Sequence, residues 1–166
     1  MDATITPRAL SKRGLQIQNE FRYLWPTFAG ELNGDILPND RETGTNRDFL
    51  AWRHDHNFTR GWTGRLNVQR VSDDNYFRDL STRVIDTSST NLPRDAELRY
   101  SADIWTFSAR ALSYQTLQDP DPANRIDTPY RLKPQLMLRG AKSDYFGADL
   151  NLESELTEFG HPSKVN

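Results

Sequence analysis

The 166-residue chain contains no cysteine, which excludes disulfide frameworks and any metal site built on thiolates. It also lacks any apolar run near the roughly 18 residues that a membrane-spanning helix requires. Residues 1–14 contain no hydrophobic segment of the kind found in secretory signals, so we predict no signal peptide. The net charge is only −2, with basic and acidic residues interspersed, which argues against nucleic acid as a partner.

What the chain does contain is alternation, clearest between Gly14 and Asn39. Apolar residues fall on one parity and polar residues on the other, and the pattern restarts after Pro26. A period of two places alternate side chains on opposite faces of a strand, so this stretch predicts a hairpin of two long amphipathic strands. The apolar parity holds Leu15, Ile17, Phe21, Tyr23, Trp25, Phe28, Leu32 and Ile36, and the polar parity holds Gln16, Gln18, Glu20, Arg22, Glu31, Asn33 and Asp35.

The same pattern recurs along the chain and predicts about nine antiparallel strands in an up-and-down meander, an all-β fold. The predicted strands cover residues 3–11, 15–25, 28–38, 47–58, 62–71, 96–104, 107–117, 130–139 and 146–156. Residues 72–81 have cap residues suited to a short helix, whereas residues 86–95 and 118–128 have loop composition. Gly140 to Asp144 is a predicted turn.

The connections from the second strand onward alternate between short and long. In a meander, this puts tight turns at one end and long polar loops at the other, as in outer-membrane barrels. Several strands approach 10 residues, the length that crosses a bilayer at a tilt. At several strand ends the apolar parity finishes with aromatic residues, as suits a membrane interface. These residues are Tyr23, Trp25, Phe28, Trp62, Tyr130 and Phe146. A soluble sandwich, which hides the apolar parity under a second sheet, remains the alternative at this point.

Residues capable of chemistry are sparse. His54 and His56 share a strand face, but zinc needs three or four ligands and His161 is distant in sequence, so we predict solvated imidazoles. No nucleophile elbow accompanies the serines. Two carboxylate pairs, Glu31 with Asp35 and Glu153 with Glu155, have the form of a glycosidase pair, but polar neighbours favour a hydrated wall.

Two prolines, Pro7 and Pro134, fall inside predicted strands. Proline removes a donor from the strand ladder and is confined to strand edges, strand starts and bulges. Each therefore predicts a bulge or, alternatively, a weakened seam between strands.

Several strings are similar to the early barrel strands of the LptD family of lipopolysaccharide-assembly outer-membrane proteins, also called organic solvent tolerance proteins. The resemblance covers nearly the whole chain in the correct order. The matching residues are Asp2 to Arg8, Lys12 to Gly14, Glu20 to Leu24, Leu37 to Asp40, Val71 to Asp73, Tyr76 with Phe77, Ser113 to Gln118, and Pro134 to Leu136.

The resemblance implies that residues 1–166 are one segment of a larger outer-membrane β-barrel domain of a Gram-negative bacterium, without the family's periplasmic domain. It implies delivery of lipopolysaccharide to the outer leaflet through a lumen and a lateral opening, with no catalytic residue, metal or cofactor. The implied partners are an LptE-type lipoprotein plug, a periplasmic lipopolysaccharide-bridge protein, lipopolysaccharide itself and membrane lipid.

On this interpretation the polar parity faces the lumen of the barrel and the apolar parity faces membrane lipid. The lumen-facing set is Glu20, Arg22, Glu31, Asp35, Arg65, Glu97, Arg99 and Asp103. The lipid-facing set is Leu15, Ile17, Phe21, Tyr23, Trp25, Leu66, Leu98 and Leu136. The alternatives are a lipid-modifying barrel enzyme, which needs a Ser/His pair in contact, and a soluble carbohydrate-binding sandwich.

Overall fold

The period-two alternation produces one antiparallel sheet of nine strands in sequence order, as predicted. The computed structural model describes residues 1–80 and 90–161. The strands are β1 Asp2–Leu10, β2 Gly14–Leu24, β3 Phe28–Leu37, β4 Arg47–Thr59, β5 Trp62–Val71, β6 Asn91–Ala102, β7 Trp105–Thr116, β8 Arg131–Tyr145 and β9 Ala148–Gly160. A short helix, α1 (Tyr76–Leu80), follows β5, and a 3-10 turn spans Pro122–Asn124. No helix in the described ranges has the length and apolarity to cross a membrane.

The connections confirm the predicted asymmetry. Residues 25–27, 60–61, 103–104 and 146–147 form tight turns at one end of the sheet, called here the short-turn end. Residues 38–46, 72–90 and 117–130 connect strands at the opposite, long-loop end. Three of these four tight turns use left-handed backbone, among them those with Gly61 at φ 84° and Gly147 at φ 81°, a conformation that glycine adopts without a Cβ penalty. This open meander is an all-β arrangement with the form of a barrel segment.

Three sequence predictions of local structure were wrong. β6 begins at Asn91 inside the predicted loop 86–95, whose residues 86–89 lie outside the described part of the chain. Asp103 and Ile104 form the β6–β7 turn instead of ending a strand. The predicted turn at Gly140 to Asp144 is strand, because β8 continues to Tyr145. Gly140 lies under the ring of Trp105, where a Cβ would come within 2.5 Å of a ring carbon.

The two strand prolines differ. Pro134 lies between shifts of register on both sides of β8, which confirms a bulge there. Pro7 pairs with Ile17 in an unbroken β1–β2 register, so the bulge predicted at Pro7 was wrong. β1 is the edge strand of the described sheet, where a missing ladder donor is tolerated.

β5 and β6 separate near the long-loop end. Their pairing ends at Val68 opposite Arg94, although β6 continues to pair with β7 as far as Asn91. Beyond that point the side-chain amide of Gln115 accepts from the Val71 N–H at 3.2 Å and donates to the Val71 carbonyl at 2.9 Å. A side chain thus satisfies backbone groups that a neighbouring strand would otherwise pair.

Candidate functional site

Cross-strand register places most of the charge on one side of the sheet, here called the polar face. Residues that pair across strands, or that lie two apart on one strand, share a face of the sheet. By this register seven of the eight predicted lumen residues lie on the polar face: Glu20, Arg22, Glu31, Asp35, Arg65, Glu97 and Arg99. The eighth, Asp103, lies in the β6–β7 turn with φ 49°.

Opposite charges meet across the strands of the polar face. Arg110 contacts Asp95 at 2.8 Å, Arg139 contacts Glu153 at 2.8 Å, and Arg65 contacts Asp55 at 3.2 Å. The Arg139–Glu153 and Arg65–Asp55 pairs are largely solvent-exposed, and such ion pairs typically contribute only about 0–1 kcal/mol each. The pairs are therefore exchangeable and leave the face hydrated.

The polar face has an open cleft at its short-turn end. Its volume is about 580 Å³, and the turn after β2 forms one wall. Charged lining residues are Asp55, Arg65, Glu97 and Arg99, with Leu24, Ala29 and Thr63 among the others. The cleft combines cations and carboxylates in an open, wet groove.

α1 covers the long-loop end of the polar face. The side chains between α1 and the sheet form a hydrophobic core. Tyr76, Phe77 and Leu80 of α1 are buried. They pack in one cluster with Leu37, Val71, Leu92 and Leu117, with Leu10 and Phe49 packed against it. The buried apolar cluster of the described residues therefore lies at the end of the face that the sequence identified as polar.

Arg47, at the start of β4, anchors this cover and is only 2% exposed. Its Nε and Nη2 donate to both carboxylate oxygens of Asp73, at 2.8 and 2.7 Å, and its Nη1 donates to Asp79 at 2.9 Å. Asp40, fully buried, accepts from Arg47 at 3.3 Å and from Arg13 at 2.7 Å. The Arg47 guanidinium also lies 5.6 Å from the centre of the Tyr76 ring.

Two carboxylates around Arg47, those of Asp40 and Asp73, are held ionised. Burial opposes ionisation of Asp40, but the Glu42 N–H and the guanidiniums of Arg13 and Arg47 outweigh it and lower its pKa. Burial likewise works against Asp73, whose pKa is nevertheless lowered by Arg47, chiefly, and by the Ser72 hydroxyl. We call Arg13, Asp40, Arg47, Asp73 and Asp79 the Arg47 cluster.

Polar contacts extend the attachment of α1 to the first strands. The Gln16 amide, fully buried, donates to the Tyr76 hydroxyl at 3.2 Å, and that hydroxyl donates to Asp35 at 3.4 Å. Burial, followed by the Asp35 charge, raises the pKa of Tyr76. Arg8 of β1 donates to the Leu80 carbonyl at 2.7 Å. The segment after β5 is thus fastened to β1, β2, β3 and β4.

The sequence did not single out Arg47. A signal was present in the two acid-bearing loops, residues 38–46 and 72–80, which lie at one end of the meander and need a shared cation. Nothing local separates Arg47 from Arg41 or Arg60, because its partner Asp73 is 26 residues away.

The opposite, apolar face carries seven of the eight predicted lipid-facing residues. Leu15, Ile17, Phe21, Tyr23, Leu66, Leu98 and Leu136 share it by register. The eighth, Trp25, lies in the turn after β2 and stacks on Phe28 of the same face. All nine described strands belong to one sheet, and none covers this face. The two-layer sandwich is therefore not supported.

Aromatic residues collect on the apolar face at its short-turn end. The predicted Tyr23, Trp25, Phe28, Trp62 and Phe146 lie there, whereas Tyr130 lies at the long-loop end. Tyr23, Trp25, Phe28, Phe58, Trp62, Tyr100 and Trp105 are called the aromatic belt here. Tyr23 lies over Gly30, where an added Cβ would collide with its hydroxyl. Phe58 similarly lies over Gly64, with a ring carbon 2.8 Å from where a Cβ would be.

His54 and His56 lie within this belt and are half-buried, so the prediction of solvated imidazoles holds only in part. The Tyr23 hydroxyl lies 2.8 Å from Nδ1 of His54 and also accepts from Nε1 of Trp52 at 3.0 Å. His56 stacks between Phe28 and Phe58, with ring centroids 5.3 and 4.1 Å away. Over residues 1–80 and 90–161, no three His, Cys, Asp or Glu side chains are placed to share a metal ion.

The other candidate chemical groups are part of hydrogen-bonded strand walls. Glu153 pairs with Arg139, Glu155 accepts from Gln135 at 2.8 Å, and Glu31 accepts from Asn33. His54 contacts Tyr23 where a Ser/His site would need a serine. The enzyme alternative is accordingly not supported by the contacts of His54.

Comparison with known proteins agrees with this geometry. The family model described as LptD, LPS transport system D, matches residues 45–166. The chain is 42% identical over 98% of its length to the LPS-assembly protein LptD of Nitrosomonas eutropha, of which it covers 23%. It is 43% identical over 98% of its length to that of an Azoarcus species, covering 20%, and 38% identical over 97% to that of Bordetella avium, also covering 20%.

The chain therefore spans about a fifth of the length of these curated relatives. At about 40% identity, these alignments cover almost every residue of the chain. The family match and the open nine-stranded meander agree, and the chain belongs to the LptD family.

Proposed function

We propose that this chain forms part of the wall of an outer-membrane barrel that assembles lipopolysaccharide into the outer leaflet. The observation that carries the proposal is the combination of family membership with a single sheet whose apolar face is uncovered by any described strand. An uncovered apolar face on this scale suits lipid, because a barrel in a membrane buries such a face without a second layer.

The polar face would line the lumen and accommodate the charged sugars of lipopolysaccharide. Exposed ion pairs such as Arg65 with Asp55 and Arg99 with Glu97 are weak, so their guanidiniums can exchange a carboxylate for a passing phosphate at little cost. The cleft at the short-turn end supplies an open, polar entry to this surface. Transfer through such a lumen requires no covalent step.

The apolar face would contact acyl chains, with its aromatic belt at one membrane interface. Outer-membrane barrels have short periplasmic turns and longer external loops, so the short-turn end would be periplasmic. The long-loop end would then be external, and α1 with the Arg47 cluster would narrow the lumen there. Lipid delivery would proceed through a lateral opening elsewhere in the complete barrel.

The partners follow from the family. A lipoprotein plug of the LptE type would occupy the lumen beside the polar face, and a periplasmic bridge protein would supply lipopolysaccharide through a domain outside this chain. The location would be the outer membrane of a Gram-negative bacterium. The relatives are named for assembly of LPS, which is the activity proposed for this chain.

Single cysteines placed at alternate positions test the proposal, and the chain itself has none to remove. In the full-length protein in outer membranes, Cys replacing Arg65 or Glu97 should react with a water-soluble maleimide. Cys replacing Leu66 or Leu98, the neighbouring positions of opposite parity, should react poorly with it and better with a lipid-soluble reagent. Equal labelling of both parities, or the reverse pattern, would contradict the proposal.

A photo-crosslinking residue distinguishes the substrate. Placed at Arg99 on the polar face, it should form adducts with lipopolysaccharide during export, whereas the same residue at Leu136 should capture phospholipid or acyl chains. Lipopolysaccharide adducts at Leu136 and none at Arg99 would mean that the apolar face, and not the polar face, contacts lipopolysaccharide.

A further inference from the structure

His54 is the feature of the apolar face that the proposed function does not use. It belongs to β4, whose side chains on this face run from Asp48 through Leu50 and Trp52 to His54, His56 and Phe58. Asp48 is near Arg70 of β5, at 3.8 Å, at the long-loop end of the strand. Six residues of strand separate Asp48 from His54, about 20 Å at ~3.3 Å per residue.

The apolar stretch of β4 is therefore bounded by polar groups at both ends. The boundary at the long-loop end is an ion pair, whereas the boundary at the short-turn end is a pair of imidazoles with ring centroids 5.5 Å apart. The imidazoles lie within the aromatic belt, and such belts mark the interface where lipid headgroups begin.

The hydrogen bonds around Tyr23 determine what His54 offers to its surroundings. The indole N–H of Trp52 can only donate, so the Tyr23 oxygen accepts that bond. Nδ1 of His54, 2.8 Å away, is the acceptor that the described residues place near the Tyr23 O–H, so we assign the proton of the neutral imidazole to Nε2. If the imidazole is doubly protonated, Nε2 still carries a proton, so Nε2 is a donor in either charge state.

The surroundings of His54 contain no competing acceptor charge on this face. Its neighbours on adjacent strands are Gly30 of β3 and Leu66 of β5, with Tyr23 reaching across from β2. Among the described residues, Nε2 of His54 has no hydrogen-bond partner in the protein, and the ring is only partly buried. A donor in an apolar, aromatic surround needs an external acceptor once water is excluded.

The geometry points to a headgroup site in which Nε2 of His54 donates to a phosphate oxygen of a phospholipid in the leaflet at the short-turn end. His56, stacked between Phe28 and Phe58, adds a second imidazole 5.5 Å away on the same strand. Trp52 and Tyr23 are positioning residues that orient His54. This inference rests on the proposed contact between the apolar face and lipid, and adds to it a specific residue and acceptor.

Solid-state NMR of the full-length protein in vesicles of phosphatidylethanolamine and phosphatidylglycerol tests the contact directly. We expect the Nε2 signal of His54 to be attenuated by coupling to lipid ³¹P, and His54→Gln identifies that signal by removing it. In Tyr23→Phe the proton of the neutral imidazole should redistribute between Nδ1 and Nε2, a change that a merely packing role would not produce. An unattenuated Nε2 signal in vesicle-inserted protein would overturn the inference.

Native mass spectrometry of the same protein released from these vesicles measures retention. His54→Phe, which keeps an aromatic ring, should lower the affinity for bound phospholipid roughly tenfold, as expected for losing one hydrogen bond to a charged group. Trp62→Phe is the matched control, because it removes an indole N–H from the same belt without touching His54. Equal losses in both variants would contradict a site at His54.

Co-flotation with the vesicles separates the two proposals. Protein that inserts, shows the expected cysteine labelling and lacks phosphate contact at His54 leaves the barrel proposal intact and refutes only the headgroup site. Protein that fails to insert refutes both.

Discussion

Tyr23 and Gly30 face each other across β2 and β3, and the tyrosine ring occupies the space that a side chain at position 30 would need. The ring continues past Gly30 to reach His54 on β4. The glycine therefore allows one aromatic side chain to span three strands of the apolar face.

Gly30→Ala should destabilise this part of the sheet by about 1–3 kcal/mol, because the new methyl group collides with Tyr23 and with the Arg53 carbonyl. The measurement is hydrogen exchange of β3 and β4 amides in the full-length protein. Gly34→Ala is the control, since it lies on the same strand and face and meets only the Phe49 carbonyl at 3.8 Å. A Gly30→Ala variant as stable as Gly34→Ala would show that the ring moves freely.

Arg47→Gln should release α1 from the polar face, with a loss of about 3–5 kcal/mol in the free energy of local opening, because it removes one partner of a buried charged network. Hydrogen exchange at residues 72–80 reports the opening. Arg65→Ala, which breaks an exposed pair with Asp55, should cost at most about 1 kcal/mol. Unchanged protection of α1 in Arg47→Gln would mean that its apolar side chains alone hold it.

Acidification should loosen the same segment. The pKa values of Asp40 and Asp73 are lowered in the folded state, so their contribution to stability is present above about pH 4 and is lost as pH falls through the folded values. Exchange of residues 72–80, corrected for the intrinsic pH dependence, should accelerate over that acidic range. In Arg47→Gln the exchange rate of these residues should depend less on pH. Protection that increases on acidification would contradict the prediction.

Tyr76→Phe should cost about 1–2 kcal/mol, because the buried Gln16 amide loses one of its two acceptors and keeps only Asp35, while the ring keeps its packing. Tyr114→Phe is a suitable control, since no hydrogen bond joins the Tyr114 hydroxyl to another described residue. Hydrogen exchange of the backbone amides of Gln16 and α1 should be faster in Tyr76→Phe than in Tyr114→Phe. Equal effects would assign the role of Tyr76 to packing alone.

The strands and their faces could be predicted because alternation is a local property. Glu20 and Arg22 share a face with Glu31 because a tight turn at residues 25–27 fixes the register between β2 and β3. Prediction failed where a distant contact decides the structure. Gly140 has the composition of a turn, yet it is strand because Trp105 of β7 packs on it.

The Arg47 cluster and the buried cluster beneath α1 could not be predicted in the same way. Leu37, Val71 and Leu92 each flank a loop and belong to strands of different amphipathic pattern, so no period links them. They meet in the cluster that α1 completes by packing on the sheet. The burial of these side chains therefore depends on α1 and not on the residue pattern of any one strand.

The Gln115 amide of β7 bonds both backbone groups of Val71 of β5, at the end of the sheet where β5 and β6 no longer pair. Ladders of main-chain hydrogen bonds normally fix the spacing between strands. Here a side chain takes the place of that ladder. The spacing of the strands at the long-loop end therefore depends in part on which residue occupies position 115.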